Sequence, residues 1–313
     1  MMSNSTRIYY ILGLLSALFV LPAKAQQDPL LGHYMYNTLA LNPAYAGTAG
    51  LLEATFSSRH QWLGFDDAPR THTLTVHTPF PTRSFGLGLT VVHDEVGPVK
   101  QSGFWVDYAH HLRLGDQLRL GMGLKAGTGV LQKDLTRYQQ EAGSGDKAYE
   151  AALREHWTPN FGAGLYLWSP RFHVGLSVPR LLENELQNSA SAERYMPVEK
   201  RLYLVMGGYV QPLNQQLTLL PSFLVRGMEG MPLAYEANVL LRYEDRLWVG
   251  ALYRAQQTLG GQLRVRISPQ LSVGYMYDHS LHQTASSLGA SHEILLNFEF
   301  TFKKDQVLNP RYF

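Results

Sequence analysis

Alternation of apolar and polar residues is the dominant pattern along this chain. Between residues 291 and 303 the even positions after His292 are apolar, as at Leu296 and Phe298, and most odd positions are polar, as at Asn297 and Glu299. A period of two puts successive side chains on opposite faces of a β-strand. Fourteen such runs follow one another with no convincing helical stretch between them, at roughly residues 51–58, 71–79, 84–94, 102–114, 117–131, 159–169, 171–179, 200–212, 215–227, 233–243, 246–254, 257–268, 270–280 and 291–303.

The connections between these runs alternate in length. Six are tight turns rich in Pro, Gly, Asn and Asp, such as Leu114–Asp116 and Glu244–Asp245. The others are mostly longer, among them Arg59–Arg70, Glu95–Gln101 and Gln132–Thr158. Short periplasmic turns that alternate with longer outer loops are typical of outer-membrane barrels. The pattern therefore predicts an all-β fold, a transmembrane antiparallel β-barrel of about 14 strands, whose even strand number puts both termini in the periplasm.

The two faces of the predicted strands differ in chemistry. We expect the apolar face to meet lipid, at positions that include Leu120, Val265, Leu296 and Phe298. We expect the polar face to line the lumen, at positions that include Arg119, Lys125, Arg201, Glu236, Arg242, Arg264, Arg266 and Glu299. A secreted β-sandwich also alternates. A sandwich does not require short and long connections to alternate along the chain, or polar inner positions on nearly every strand. The barrel is therefore the favoured interpretation.

Glycine and tyrosine positions add detail to the predicted barrel. Inward glycines would suit a filled or constricted lumen, and most of the following set fall on the inner face: Gly86, Gly88, Gly121, Gly123, Gly162, Gly164, Gly175, Gly207 and Gly274. Outward tyrosines near strand ends match the aromatic girdles of membrane barrels, and these are Tyr243, Tyr253, Tyr275 and Tyr277.

The first 25 residues have the features of a secretory signal peptide. Arg7 precedes an apolar run at Ile8–Leu21, and Ala23–Ala25 supplies an A-x-A cleavage site. The run is too short for a transmembrane helix, which needs about 20 residues; the alternative is a buried N-terminal helix. The predicted organisation is a signal peptide at 1–25, an N-terminal periplasmic or lumenal segment at 26–47, the barrel at 48–303 and a C-terminal periplasmic tail at 304–313.

Composition narrows the possible chemistry. The 313 residues include no Cys, which excludes disulfides, thiol catalysis and zinc ribbons. The 27 Lys and Arg nearly balance 25 Asp and Glu, so charge gives no evidence for nucleic-acid binding. The glycines of Gly121–Gly129 lie inside a strand pattern and cannot form a phosphate loop, which opens a helix. Asp278, His279 and His282 could ligate a metal, but a solvated polar loop is the favoured interpretation. We therefore expect no enzymatic activity, no cofactor and no metal.

Two stretches near the mature N-terminus resemble a known family. The segment Gln26–Gly47 ends in the box Asn42–Gly47, and Arg59–Leu74 contains Gln61-Trp62 and Gly64-Phe65. Both resemble the PorP/SprF family of the type IX secretion and gliding machinery. Ser291–Ile294 and the closing Asn309–Phe313 are similar to it as well.

The resemblance implies an outer-membrane component, without enzymatic activity, that supports export of proteins bearing C-terminal secretion signals. Its implied partners are the periplasmic ring proteins PorK and PorN, a peptidoglycan-binding protein and outer-membrane lipid. The alternative is an outer-membrane channel or uptake barrel for a small solute. The residues that we expect to serve structure or partner binding are Asn42, Pro43, Tyr45, Gly47, Gln61, Trp62, Arg311, Tyr312 and Phe313.

Both ends of the mature chain carry further expectations. The apolar residues of Gln26–Gly47, such as Leu30, Tyr34 and Leu39, do not alternate as they would in a strand. We expect this segment to fold inside the lumen or across its periplasmic mouth, with Asn42-Pro43 turning the chain towards the first strand. We expect the tail to dock through its last residues, with a frayed terminus as the alternative.

Overall fold

The protein forms a closed antiparallel β-barrel. A computed structural model describes residues 32–80, 84–133, 156–184, 200–255, 258–282 and 286–300. The barrel closes because β1 pairs with β15 and β10 pairs with both β8 and β11. Its strands are β1 (Leu52–His60), β2 (Arg70–Pro79), β3 (Phe85–Val96), β4 (Val99–Arg113), β5 (Arg119–Lys133), β6 (His156–Trp168), β7 (Phe172–Val178), β8 (Leu202–Tyr209), β9 (Gln211–Pro212), β10 (Leu217–Met228), β11 (Ala234–Tyr243), β12 (Leu247–Arg254), β13 (Thr258–Arg266), β14 (Leu271–Ser280) and β15 (Ser291–Phe300).

The fourteen long strands correspond one to one with the fourteen predicted runs, and the prediction of an antiparallel barrel is confirmed. The two-residue β9 continues β8 beyond a break at Val210. Among the connections that the structure describes in full, one differs from its prediction: β3 extends to Val96 and β4 begins at Val99, which leaves only a two-residue turn. Among the described residues, no helix is long and apolar enough to cross a membrane.

Strand order defines two ends of the barrel. The short-turn end carries tight connections such as residues 114–118 and 244–246, and the long-loop end carries connections such as residues 61–69. Leu52 at the start of β1 pairs with Phe300 at the end of β15, both at the short-turn end. The strand series therefore begins and ends on the same side of the barrel, as an even number of strands requires.

The apolar face of the strands points outward, as predicted. Val265 and Leu296 are about two-fifths exposed, and Leu120 and Phe298 share their outward parity. The four tyrosines predicted for aromatic girdles, Tyr243, Tyr253, Tyr275 and Tyr277, are all exposed on the same outer surface. An outer wall of large apolar side chains is what a bilayer requires of a barrel.

The inner face matches its prediction at Lys125, Glu236 and Arg264, which are buried, but not at Arg201. Arg201 is exposed before β8 begins, and its Nε donates to the Leu181 carbonyl oxygen over 2.7 Å. The inward positions of β8 are apolar instead, so both faces of this strand are apolar and the sequence pattern there does not fix parity. Gly207 is also outward, beside the ring of Phe223.

A hydrophobic core occupies one side of the lumen, which the polar inner positions did not lead us to expect. Inward side chains of β8, β10 and β12 pack there against Tyr34, Met35 and Tyr36 of the N-terminal segment. Burial of each large apolar side chain contributes about 1.5–3 kcal/mol. The wall residues of this core include Leu202, Leu204, Met206, Leu220, Leu224, Trp248 and Leu252.

Candidate functional site

The lumen of the barrel is occupied by residues 32–50, which we call the plug. The plug contains a turn, the short helix α1 (Thr38–Leu41) and a 3-10 turn at Pro43–Tyr45. It begins beside Glu293 in the long-loop half and reaches Pro79 at the short-turn end. Nearly all of its residues are buried. Because the plug belongs to no sheet, its backbone polar groups depend on local turns and on contacts with the wall.

The start of the plug is held by a buried carboxylate. Glu293 Oε2 accepts a hydrogen bond from the Gly32 backbone N–H over 2.8 Å, and Oε1 lies 3.2 Å from His33 Nδ1. Arg59 Nη1 lies 3.2 Å from the same carboxylate. These three side chains are 2% exposed or less. Glu293 therefore joins the plug to the barrel wall through charge-assisted hydrogen bonds.

The charges of the wall continue beyond Glu293 as an alternating chain. Arg59 also binds Asp278 at 2.6 Å, and Arg254 bridges Asp278 at 3.3 Å and Glu236 at 3.2 Å. Arg226 completes the chain with a 2.6 Å contact to Glu236. Three carboxylates thus alternate with three guanidinium groups, and each buried charge faces an opposite one. Removing one member of such a network leaves an uncompensated buried charge, which is strongly destabilising.

The predicted box at Asn42–Gly47 forms the second half of the plug. Asn42 is fully buried; its Oδ1 accepts from the Ala44 N–H over 3.0 Å, and its Nδ2 donates to the Leu165 carbonyl oxygen over 2.9 Å. Its side chain therefore caps the 3-10 turn and ties it to β6. Pro43 occupies the first position of that turn, where a missing N–H costs nothing.

Tyr45 and Gly47 complete this cluster at the short-turn end. The Tyr45 ring packs edge-on against His77 at 5.4 Å and Tyr166 at 5.3 Å. The Gly47 N–H donates to His77 Nδ1 over 3.2 Å. Gly47 has a φ of 75°, in the left-handed region that glycine adopts most readily, and its Cα lies against Gly86. The structure thus brings Asn42, Pro43, Tyr45 and Gly47 together on one wall.

That wall is built from inward glycines. A methyl group on Gly123 would collide with the backbone of Pro43 and Ala44, and one on Gly86 would collide with the backbone of Ala46. A methyl group on Gly164 would collide with the Asn42 amide. The inward glycines predicted from the sequence therefore leave the space in which the plug backbone lies, which is a use of strand glycine known from close backbone approaches.

Gln61 and Trp62 lie far from this cluster, at the long-loop end. The Gln61 N–H donates to the Pro69 carbonyl oxygen over 2.9 Å, and the Trp62 N–H donates to Ser291 Oγ over 3.3 Å. Trp62 has a φ of 45° and begins a loop that is bonded to residues 288–290. The second sequence box therefore shapes a loop at the long-loop end. Arg311, Tyr312 and Phe313 lie outside the described residues, as do the predicted signal peptide and tail.

Sequence reasoning missed the charge chain, although one signal was available. Arg59, Asp278 and Glu293 all have inward parity near the same end of their strands, but their pairing depends on barrel closure. The sequence instead suggests a solvated polar loop for Asp278, His279 and His282, with a metal site as the less favoured alternative. In the structure Asp278 points inward to two arginines and His279 is exposed. Across the described ranges, no group of three or more His, Asp or Glu side chains is placed to hold a metal.

A small cavity remains between the plug and the wall. Its volume is about 110 Å³, and Leu41, Trp105 and Lys125 contribute to its lining. Lys125 Nζ lies 3.4 Å from Asp107 and donates to the Ala40 carbonyl oxygen over 3.3 Å, so this lysine also holds the plug. The cavity has room for several water molecules.

Comparisons with known proteins found similar solved structures and one matching family model. The chain is similar to the P. putida toluene transporter TodX, with 8% sequence identity, a TM-score of 0.49 and coverage of 86% of this chain and 95% of that one. It is similar to the Acinetobacter baumannii outer membrane protein Omp33, with 12% identity, a TM-score of 0.46 and coverage of 80% and 98%. No curated protein matches the sequence. The family model described as type IX secretion system membrane protein PorP/SprF matches residues 23–298, so this outer-membrane barrel belongs to the PorP/SprF family.

Proposed function

We propose that the protein is a non-enzymatic anchoring component of the type IX secretion machinery. In this role the barrel holds secretion subunits at the outer membrane and supports export of proteins with C-terminal secretion signals, without being their conduit. The observation that carries the proposal is the buried plug at residues 32–50, which occupies the lumen between β2–β7 on one side and β8–β15 with β1 on the other. A barrel whose lumen is filled is suited to docking and poorly suited to passing a polypeptide.

The rigidity of the plug supports an anchoring role. Glu293 and Lys125 bond its first half to the wall, and Asn42 bonds its second half. Such contacts join the plug and barrel into one body, which would transmit load between the membrane and a periplasmic assembly. By family membership the expected partners are the ring proteins PorK and PorN and a peptidoglycan-binding protein, and the short-turn end is the face that we assign to them.

Matched insertions at two glycines test the docking face. Gly115 lies in a tight turn at the short-turn end and Gly230 lies in a loop at the long-loop end, and each has open space around it. We expect a short epitope after Gly115 to reduce recovery of PorK and PorN with the detergent-solubilised barrel, while the same epitope after Gly230 leaves recovery unchanged. Equal recovery from both variants would contradict docking at the short-turn end.

Planar-bilayer conductance separates anchoring from transport. The intact protein is expected to show no large, stable open state, because the plug lies across the lumen. A stable open channel in the intact protein would favour the alternative function, diffusion or uptake of a small solute.

A further inference from the structure

The outward side chains near the long-loop end fall into three rows that the strand register defines across β14, β15, β1, β2, β3 and β4. The deepest row is entirely apolar and consists of Val273, Leu296, Phe56, Leu74, Val91 and Phe104. Two residues nearer the loops, the row is Tyr275, Ile294, Ser58, His72, His93 and Ser102. Two residues further, it is Tyr277, His292, His60, Arg70, Glu95 and Lys100.

This change in composition marks the edge of the membrane on one side of the barrel. Two residues advance a strand by about 6.6 Å, so the surface passes from purely apolar to charged within two steps of that size. Hydrocarbon gives way to headgroups over a similar distance, and aromatic girdles such as Tyr275 and Tyr277 lie at that level. The two upper rows therefore lie where lipid headgroups are found.

Four histidines on adjacent strands dominate these rows, and we call His60, His72, His93 and His292 the histidine belt. The ring centroids of His60 and His72 are 5.8 Å apart, and those of His72 and His93 are 6.5 Å apart with the rings nearly parallel. The His292 ring packs edge-on against Tyr277 at 5.3 Å. The rings lie side by side along the surface and do not converge on one point, which is the arrangement of an extended contact surface.

Neighbouring hydroxyl groups orient three of the four rings. Ser58 Oγ lies 3.2 Å from His60 Nε2, and Ser102 Oγ lies 2.8 Å from His93 Nδ1. Tyr275 Oη lies 2.6 Å from His292 Nδ1. An imidazole has two nitrogens, so a hydroxyl on one of them fixes the ring and leaves the other for a further partner.

Within these three rows the charged and titratable groups favour an anionic ligand. Arg70 pairs in register with His60 and Glu95, and Lys100 contacts Glu95 at 3.3 Å. The two tyrosines are neutral at physiological pH, so Glu95 is the one acid in these three rows and a lysine already faces it. The three rows therefore carry a small positive charge from Arg70, Lys100 and Glu95, and each protonated histidine would add to it.

We infer that the histidine belt and Arg70 bind the phosphate groups of lipid headgroups in the outer leaflet, more tightly as the pH falls. Histidine is the side chain that most readily gains a proton between about pH 8 and about pH 5. Protonated neighbours repel one another across these short distances, and a bound phosphate relieves that repulsion. Binding therefore takes up protons, and by linkage acidification strengthens binding.

A lipid-binding measurement on the full-length barrel in detergent tests this inference, which is independent of the anchoring role. The probe is bis-phosphorylated lipid A, with the same lipid lacking phosphates as reference, at about pH 5.5 and about pH 8. We expect the phosphorylated lipid to bind about fivefold more tightly at the lower pH, and the phosphate-free lipid to show no such change. Binding that does not depend on pH would overturn the inference.

Substitutions of the histidines test whether the belt causes the pH dependence of lipid A binding. Replacing three belt residues together, His60→Asn, His72→Asn and His93→Asn, is expected to remove the pH dependence. The control His110→Asn changes an outward histidine at the short-turn end and is expected to keep it. A triple variant that retains the full pH dependence would show that the belt is not the site. If that variant does not fold, as judged by heat-modifiable migration, the single change His72→Asn must lower the pH dependence, and an unchanged value would have the same meaning.

Inorganic phosphate alone completes the test. Millimolar phosphate is expected to compete only weakly with lipid A, because the acyl chains hold the headgroup against the apolar row below. Competition at equal phosphate-group concentration would identify a site for free phosphate and overturn the assignment to lipid.

Discussion

Two walls of the lumen hold the plug by opposite means. The glycine wall, formed by inward positions of β3, β5, β6 and β7, removes side chains so that the plug backbone from Asn42 to Gly47 can lie against the strands. The charge wall, formed by β10–β15 and β1, supplies long side chains that reach inward, and Glu293 holds Gly32 and His33. The glycine wall holds the plug by its shape and the charge wall holds it by charge, so substitutions in the two walls should have different effects.

Added volume damages the glycine wall, because a close-packed backbone has no room to move. Removed charge damages the other wall, because the remaining partners stay buried. The two halves of the plug can therefore be released separately, and the following variants separate them in order of decreasing effect.

Removing the whole first half of the plug should have the largest effect. Deletion of Gln26–Leu41 takes away the half of the plug that contacts Glu293 and Lys125. We expect a folded, heat-modifiable barrel with a clear rise in single-channel conductance and impaired secretion. Unchanged conductance in a properly folded deletion variant would show that residues 42–50 alone close the lumen.

Breaking the charge wall alone should cost about 3–5 kcal/mol of stability, the usual cost of leaving buried charges unpaired. Arg59→Leu leaves Asp278 with one arginine and takes one partner from Glu293. We expect a lower midpoint of thermal unfolding in detergent. The control Arg246→Leu changes an exposed turn residue and should shift stability by less than about 0.5 kcal/mol. Similar losses in both variants would argue against the network.

Filling the glycine wall should cost about 1–3 kcal/mol, as overpacking of a close-packed interior does. Gly123→Val introduces a side chain where the Pro43–Ala44 backbone lies. Gly261→Val is the matched control, since Gly261 is also a strand glycine but faces outward with open space around it. We expect only the first variant to increase limited proteolysis of the plug; equal protection in both would mean that the plug does not depend on this wall.

Loss of one polar anchor should have the smallest effect. Asn42→Ala removes the cap of the 3-10 turn and the donor to the Leu165 carbonyl oxygen, for an expected cost of about 1–2 kcal/mol. Hydrogen exchange of the plug amides should accelerate while that of the strands stays the same. Acceleration throughout the barrel would instead assign Asn42 a role in overall folding.

Sequence reasoning was strongest where one strand decides the outcome. The inward positions of Lys125, Glu236 and Arg264 follow from alternation alone, because one face of each strand is apolar and the other polar. The inward position predicted for Arg201 is wrong, because the inner face of β8 is as apolar as its outer face and consists of Leu202, Leu204 and Met206. Because the two faces of β8 do not differ in polarity, alternation cannot show which of its side chains point inward.

Local periodicity, a property of neighbouring residues, therefore determined the fourteen strands, their two faces and the tight turns at one end of the barrel. The tertiary structure decided the contacts that form only when the barrel closes. Arg59 and Asp278 are 219 residues apart and meet only because β15 joins β1 to β14. The path of the plug was likewise decided by glycines on strands far apart in the chain, since the space for a backbone exists only once those strands are side by side.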